Sequence, residues 1–269
     1  MATQTFRIAV IPGDGIGLEV VPEGMRVLET VARVHGGFRF EWQEFPWGCT
    51  YYLRHGRMMP EDGLDILRPF DAIYLGAVGD PRVPDHVSLW GLLLPIRRGF
   101  RQYVNLRPVR LLRGIRSPLR DRSPGDIDML VVRENNEGEY SNIGGRLYPG
   151  TPHEIAIQNS VFTRHGVERV IRYAFRLAEQ TGWRHVTGAT KSNGINHTMP
   201  FWDEVFHQVA REHPAVACRL VHVDALAAAF VLHPERLKVV VASNLFGDIL
   251  TDLGAAIAGS IGIAPSANL

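Results

Sequence analysis

Short apolar runs and longer helical stretches follow one another along the chain. Phe6-Arg-Ile-Ala-Val-Ile-Pro12 is an apolar run of strand length, and beyond a glycine-rich turn a helical pattern continues to about His35. Phe38 to Phe45 alternates with a period of two, and Ala72 to Gly76 reads as a further strand. From Pro84 to Phe100 the pattern is helical, with Pro95 placed to kink or shorten it. Asp126 to Arg133 is strand-like, and the Gly- and Asn-rich stretch from Glu134 to Gly150 predicts turns or a hairpin arm. In Gly166 to Gln180, the apolar residues Val167, Val170, Ile171, Ala174, Phe175 and Ala178 fall on one helical face. Val186 to Thr190, Arg219 to Val223 and Val239 to Ala242 are short strands between helical stretches. Such alternation predicts an α/β protein with a largely parallel sheet. Without a linker or repeat, two lobes that exchange strands account for the length better than two independent beads.

Composition narrows the class. A chain of 269 residues is long enough for a large core. No apolar run approaches the ~20 residues of a membrane span, and the first residues lack a signal-peptide layout. Cys49 and Cys218 are the two cysteines, which argues against a disulfide framework or a Cys-ligated zinc site. These features predict a cytoplasmic protein. A net charge of +1 gives no electrostatic footprint for nucleic acid. Of the 29 basic residues only Lys191 and Lys238 are lysines. Lysine can serve as a titrating group where arginine cannot, which makes the two worth following.

Several segments carry candidate chemistry. Gly13-Asp-Gly-Ile-Gly17 lies between a strand and a helix but breaks the G-x-G-x-x-G fingerprint, since position 18 is Leu. A tight strand-to-helix turn explains the same glycines. In Ser243-Asn-Leu-Phe-Gly-Asp248-Ile-Leu-Thr-Asp252, a helix beginning near Leu245 stacks Asp248 over Asp252 on one face. Like charges so placed repel unless a cation or an arginine lies between them. Asp224, at a strand end, is a third candidate oxygen ligand, and such a set suits Mg²⁺ or Mn²⁺. The alternative is one capping aspartate and one solvated aspartate. Arg107, in Asn105-Leu-Arg-Pro, and Arg133, closing the run Met129-Leu-Val-Val, are candidate forks for a substrate carboxylate. Lys191 follows the strand Val186 to Thr190, and Tyr140 ends Arg133-Glu-Asn-Asn-Glu-Gly-Glu-Tyr. Beside a divalent metal, both would have lowered pKa values and could act as base and acid. There is no H-E-x-x-H, no P-loop and no nucleophile elbow.

Taken in order, these segments resemble the metal-dependent β-decarboxylating dehydrogenases of the isocitrate and 3-isopropylmalate dehydrogenase type. The resemblance runs from Ile11-Pro-Gly-Asp-Gly-Ile-Gly17 to Gly262-Ile-Ala-Pro-Ser-Ala-Asn268. It includes Asn-Leu-Arg107-Pro, Val-Arg133-Glu, Tyr140, Lys191-Ser-Asn193, Val-Asp224-Ala and Asn-Leu-Phe-Gly-Asp248-Ile-Leu-Thr-Asp252. Asp85-His-Val-Ser-Leu-Trp90-Gly-Leu-Leu looks most like the tartrate and D-malate dehydrogenase branch.

The resemblance implies an isopropylmalate-dehydrogenase-like α/β fold of two lobes that is not a Rossmann fold. Residues 1–104 and 254–269 would form a discontinuous cofactor-side lobe, and 105–253 the substrate, metal and dimerisation lobe. Arg97, Arg107 and Arg133 would hold the substrate's carboxylates, while Asp224, Asp248 and Asp252 would bind Mn²⁺ or Mg²⁺. Lys191 would help take the hydroxyl proton as hydride passes to NAD⁺. Tyr140 would protonate the enolate left by CO₂, and Asn193 would approach the nicotinamide. Lys191 and Asp224 would serve the opposite subunit of a homodimer. The implied reaction is oxidative decarboxylation of D-malate to pyruvate, with tartrate as a further substrate. The rivals are 3-isopropylmalate oxidation and a truncated, non-catalytic chain that binds metal and carboxylate. Two departures stand out: Pro95 precedes Arg97 by two residues, and the chain ends at Leu269, before the family's adenosine-binding loop.

Overall fold

The computed structural model describes residues 3–269. They divide into two compact units, one ending at Phe100 and one spanning Arg101–Leu269. In the first, β1 (Gln4–Gly13) is the middle strand of a three-stranded parallel sheet. After β1 come α1 (Gly17–His35), β2 (Phe38–Glu44), α2 (Cys49–His55), α3 (Gly63–Leu67) and β3 (Ala72–Ala77). The sheet order is β2-β1-β3, and the apolar run Ile8 to Ile11 is buried.

The glycine turn after β1 has a structural explanation. Gly13 has φ +78°, and a Cβ there would lie 2.0 Å from the Ala77 carbonyl oxygen. A Cβ on Gly17 would lie 2.1 Å from the Pro12 carbonyl oxygen, so α1 can start only against a bare backbone. Asp14 is buried, and its carboxylate accepts from the backbone N–H groups of Cys49 (2.9 Å), Thr50 (3.1 Å) and Gly79 (3.1 Å). The acid in the turn therefore ties three segments together.

The helical stretch before Phe100 is divided. It comprises α4 (Asp85–Ser88), a π-helical turn (Leu89–Leu93) and α5 (Leu94–Gly99). Leu94 N–H donates back to the Leu89 carbonyl, a wide turn, and Pro95 then sits in the first turn of α5, where a missing N–H costs little. The expected kink is thus a change of helical pitch.

The second unit contains β4 (Val104–Arg110), β5 (Asp128–Glu134), β6 (Gly144–Leu147), β7 (Ile155–Gln158), α6 (Arg164–Gln180) and β8 (His185–Thr190). It continues with α7 (Thr198–Glu212), β9 (Ala217–His222), α8 (Val223–Leu232), β10 (Val239–Ala242), α9 (Asn244–Ile257) and β11 (Ala267–Asn268). Its six-stranded sheet has the order β11-β4-β5-β10-β8-β9. The run from β5 to β9 is parallel, while β4 and β11 pair antiparallel. A Rossmann sheet is parallel with the order 3-2-1-4-5-6, so this is a different fold. The pattern did not predict β4, because Pro108 reads as a breaker. Its other neighbour, β11, covers only Asn105 and Leu106, so Pro108 sits where that edge is open.

Helix α6 buries the predicted stripe, with Val167, Val170, Ile171, Ala174, Phe175 and Ala178 all fully inaccessible. Each large side chain so buried contributes roughly 1.5–3 kcal/mol, which outweighs the helix's many exposed charges. Thr163 caps α6, accepting from Gly166 N–H at 3.0 Å. Residues 254–269, which the resemblance assigns to the first lobe, pack in the second unit. Helix α9 runs unbroken to Ile257, Gly254 lets it rest on Val109, and β11 pairs with β4. Among the described residues, no helix is long and apolar enough to cross a membrane.

Candidate active site

The buried strand β10 delivers the chain to Ser243, and α9 begins at the next residue. Asp248 and Asp252 then lie one turn apart on the same face, as the spacing predicts. Arginine does lie between them. Arg107, from β4, places Nη2 3.8 Å from Asp248 and Nη1 3.5 Å from Asp252. Its other bonds hold it in place: Nε donates to Asn105 Oδ1 at 2.8 Å and Nη1 to Thr251 Oγ1 at 2.9 Å.

Arg133 is the penultimate residue of β5 and is only 3% exposed. Its guanidinium grips Asn244 Oδ1 through Nε (3.0 Å) and Nη2 (2.7 Å), and Nη1 donates to Asp248. Burial pulls its pKa below the usual arginine value, and the Asp248 carboxylate opposes that pull. The other oxygen of Asp248 accepts from the Tyr140 hydroxyl at 2.9 Å, and Arg133 Cζ lies 5.5 Å from the Tyr140 ring centroid. Burial first, and then the bond to Asp248, hold the Tyr140 phenol above its ordinary pKa. The phenol therefore keeps its proton, while the nearby Arg133 charge works in the opposite direction.

The polar segment before Tyr140 is built into the fold through its glutamates. Glu134 is fully buried and accepts from the N–H groups of Asn136 (2.8 Å) and Glu137 (2.9 Å) and from Asn244 Nδ2 (3.3 Å). Its carboxyl pKa is pushed up to about 7 by burial, against those N–H bonds. Glu137 takes Thr163 N–H (2.9 Å) and Oγ1 (2.8 Å) just before α6. Glu139 takes Ser243 Oγ (2.7 Å) and Leu245 N–H (3.0 Å) at the start of α9. Asn105, Asn244, Thr251 and Glu139 were not singled out in the sequence. The contacts of Asn244, Thr251 and Glu139 span more than 100 residues, which spacing does not reveal. Asn105 acts on Arg107 only because β4 holds the two on one face.

Lys191 and Asp224 form a second cluster. Lys191, after β8, donates to Asp224 Oδ2 at 2.9 Å across to the start of α8, and this bond first of all holds the Asp224 carboxyl below its usual range. Asp224 is solvent-exposed and Lys191 partly so, and water screens the pair, so neither charge is locked away. Asn193 is exposed in the turn that follows Lys191. Arg97, half-buried in α5, belongs to the first unit. Among the described residues, no three His, Cys, Asp or Glu groups come together as a metal cage. The carboxylates of α9 have the hard-oxygen chemistry that Mg²⁺ or Mn²⁺ requires, but one chain supplies them as an incomplete set, apart from Asp224.

Comparison with known proteins gives the class. Residues 7–269 match the isocitrate/isopropylmalate dehydrogenase family, and the chain belongs to it, which makes it an enzyme of the oxidoreductase class. Its similarities within the family are more particular. It is 58% identical over 268 residues to the D-malate dehydrogenase (decarboxylating) of Escherichia coli strain K12, covering 99% of this chain and 74% of that protein. It is equally 58% identical, over 272 residues, to the tartrate dehydrogenase/decarboxylase of Pseudomonas putida, covering 100% of this chain and 74% of that one. Among solved structures, isocitrate dehydrogenase from Methylococcus capsulatus superposes with a TM-score of 0.84 at 30% identity, over 98% of this chain and 74% of that chain.

Proposed function

We propose that this protein oxidatively decarboxylates D-malate to pyruvate and CO₂ with NAD⁺ and Mn²⁺ or Mg²⁺, and that tartrate is a further substrate. The observation that carries the reading is the convergence on Asp248 of a protonated phenol and two arginines. That grouping can hold a dicarboxylate and deliver a proton. The relatives' names favour D-malate and tartrate over 3-isopropylmalate.

The charges are consistent with such a substrate. Arg107 and Arg133 offset Asp248 and Asp252, so a divalent cation arriving with a dicarboxylate dianion leaves the site near neutral. Arg107 and Arg133 grip the substrate's carboxylates. Asp248 and Asp252 would hold the cation, joined by Asp224 of a second copy. The bound cation supplies Lewis-acid polarisation of the substrate oxygens, and bound NAD⁺ supplies the hydride acceptor beside Asn193. Lys191 accepts the hydroxyl proton, and Asp224 positions its ammonium group. Tyr140 gives a proton to C3 as CO₂ leaves. One proton is lost at oxygen and one gained at carbon, so the net change is transfer of a hydride from C2 and release of CO₂.

The separation of the Lys191–Asp224 pair from the carboxylates of α9 supports a homodimer with shared sites. The hairpin of β6 and β7 supports it, because Leu147, Ile155 and Ile157 are all exposed on a two-stranded ribbon. An isolated ribbon of this kind is marginal in water without a covering surface.

The test is NADH formation by the purified protein with D-malate, tartrate or 3-isopropylmalate, in the presence and absence of Mn²⁺. Metal-dependent turnover, fastest on D-malate and abolished by Lys191→Met or Asp248→Asn, is the expected result. A preference for 3-isopropylmalate would replace the substrate assignment, and inactivity on all three would overturn the reading.

A further inference from the structure

The first turn of α9 leaves backbone N–H groups without partners in the helix, and such groups are ordinarily met by the side chain of the N-cap residue. Ser243 is that residue and has the extended backbone of a cap, yet its side chain makes no capping bond. Its hydroxyl instead donates to Glu139 Oε1 at 2.7 Å, while Glu139 Oε2 accepts from Leu245 N–H at 3.0 Å. A carboxylate 104 residues away thus caps the helix, at the end where the helix dipole favours negative charge. The same helix carries Asp248 one turn further on, and the residue after Glu139 is Tyr140, bonded to Asp248 at 2.9 Å. Asn244 Nδ2 adds a neighbouring tie to the Glu137 carbonyl at 3.0 Å.

We propose that Glu139 is a positioning residue: by fastening residues 137–140 to the first turn of α9, it sets the Tyr140 hydroxyl against Asp248. The inference rests on the reading of Tyr140 as the proton donor. A cap that acted only on helix stability could come from any acceptor at the N-cap position. A tether must come from the segment that carries Tyr140. The two roles therefore separate when the cap is supplied from elsewhere.

Glu139→Ala removes both bonds, and Glu139→Ala combined with Ser243→Asp restores a cap from within the helix without restoring the tether. In Glu139→Ala, kcat on D-malate falls about 10- to 100-fold, the cost of misplacing a reacting group by about an ångström. KM changes less than about threefold, because substrate grip lies with the arginines. Tm falls by about 2–4 °C, and amide hydrogen exchange accelerates over residues 135–141. The double variant recovers Tm but neither kcat nor exchange protection. Recovery of kcat together with Tm would show a cap and nothing more. Glu139→Ala retaining kcat within about twofold would likewise overturn the proposal. Should Glu139→Ala not fold, Glu139→Leu, which keeps the bulk and lacks both acceptors, is judged by the same criteria. A wild type inactive on D-malate, tartrate and 3-isopropylmalate would sink the dehydrogenase reading alone. Exchange then decides the tether: protection lost in Glu139→Ala and not regained with Ser243→Asp supports it, and unchanged protection refutes it.

Discussion

Glu134 is a carboxylic acid placed where water cannot reach it, and its neighbours only partly replace the lost hydration. Two backbone N–H groups stabilise the carboxylate, but burial is the larger effect and leaves the pKa at about 7. The linkage follows from that direction. Below the ordinary carboxyl pKa the group is protonated in both states, and its contribution to stability is complete. As pH rises toward 7 the unfolded chain ionises first, so that contribution is lost, amounting to about 3 kcal/mol. Urea unfolding of wild type and Glu134→Gln between pH 4.5 and 7 measures it. Relative to the variant, wild type is expected to weaken steadily across that range. Parallel curves would mean that Glu134 is ionised throughout. This residue was visible in the sequence only as one acid in a polar run, because its burial depends on β10 and α9 closing over it. Arg133 is similar: its place at a strand end was legible, but its grip on Asn244 was not.

At the level of the element, α9 shows how a local preference can be set aside for a site. A helix-interior glycine costs roughly 1 kcal/mol relative to alanine, so Gly247→Ala should stabilise α9 if nothing else is near. A Cβ at that position, however, would lie 2.6 Å from Arg133 Cγ and 2.7 Å from its Cβ. Gly247→Ala must therefore push the arginine out of its bonds with Asn244 and Asp248. The expected outcome is a higher KM for D-malate, by about tenfold or more, with little gain in Tm. An unchanged KM would show that Arg133 relocates without cost or does not touch substrate. The periodicity of α6 and the stacked aspartates of α9 were readable from spacing, since each depends only on helical pitch. Strand β4 was not, because what makes Pro108 tolerable is the short reach of β11.

For the whole molecule, the decisive question is which chain completes each site. The Lys191–Asp224 pair and the carboxylates of α9 are separate clusters, which the proposed shared-site homodimer would unite by symmetry. Mixing Lys191→Met chains with Asp248→Asn chains tests this directly. After random reassortment half the dimers are mixed, and in each of those one site contains both intact residues. Activity should return to about a quarter of wild type from two inactive parents. If each site drew all its residues from one chain, no activity would return, and the proposed dimer would be wrong.

The sequence by itself determined what depends on near neighbours: the alternation of strands and helices, the buried stripe of α6, and the failed dinucleotide fingerprint. It also determined the order of motifs that reveals the family, because those motifs are contiguous stretches of chain. Only the tertiary structure decided that Asp14 binds three N–H groups on two other segments, that residues 254–269 pack in the second unit, and that Glu139 caps a helix 104 residues away. The reason is physical. Pitch and pleat are short-range and leave a periodic trace in sequence, whereas a buried polar group takes whichever partner the closing core brings within about 3 Å.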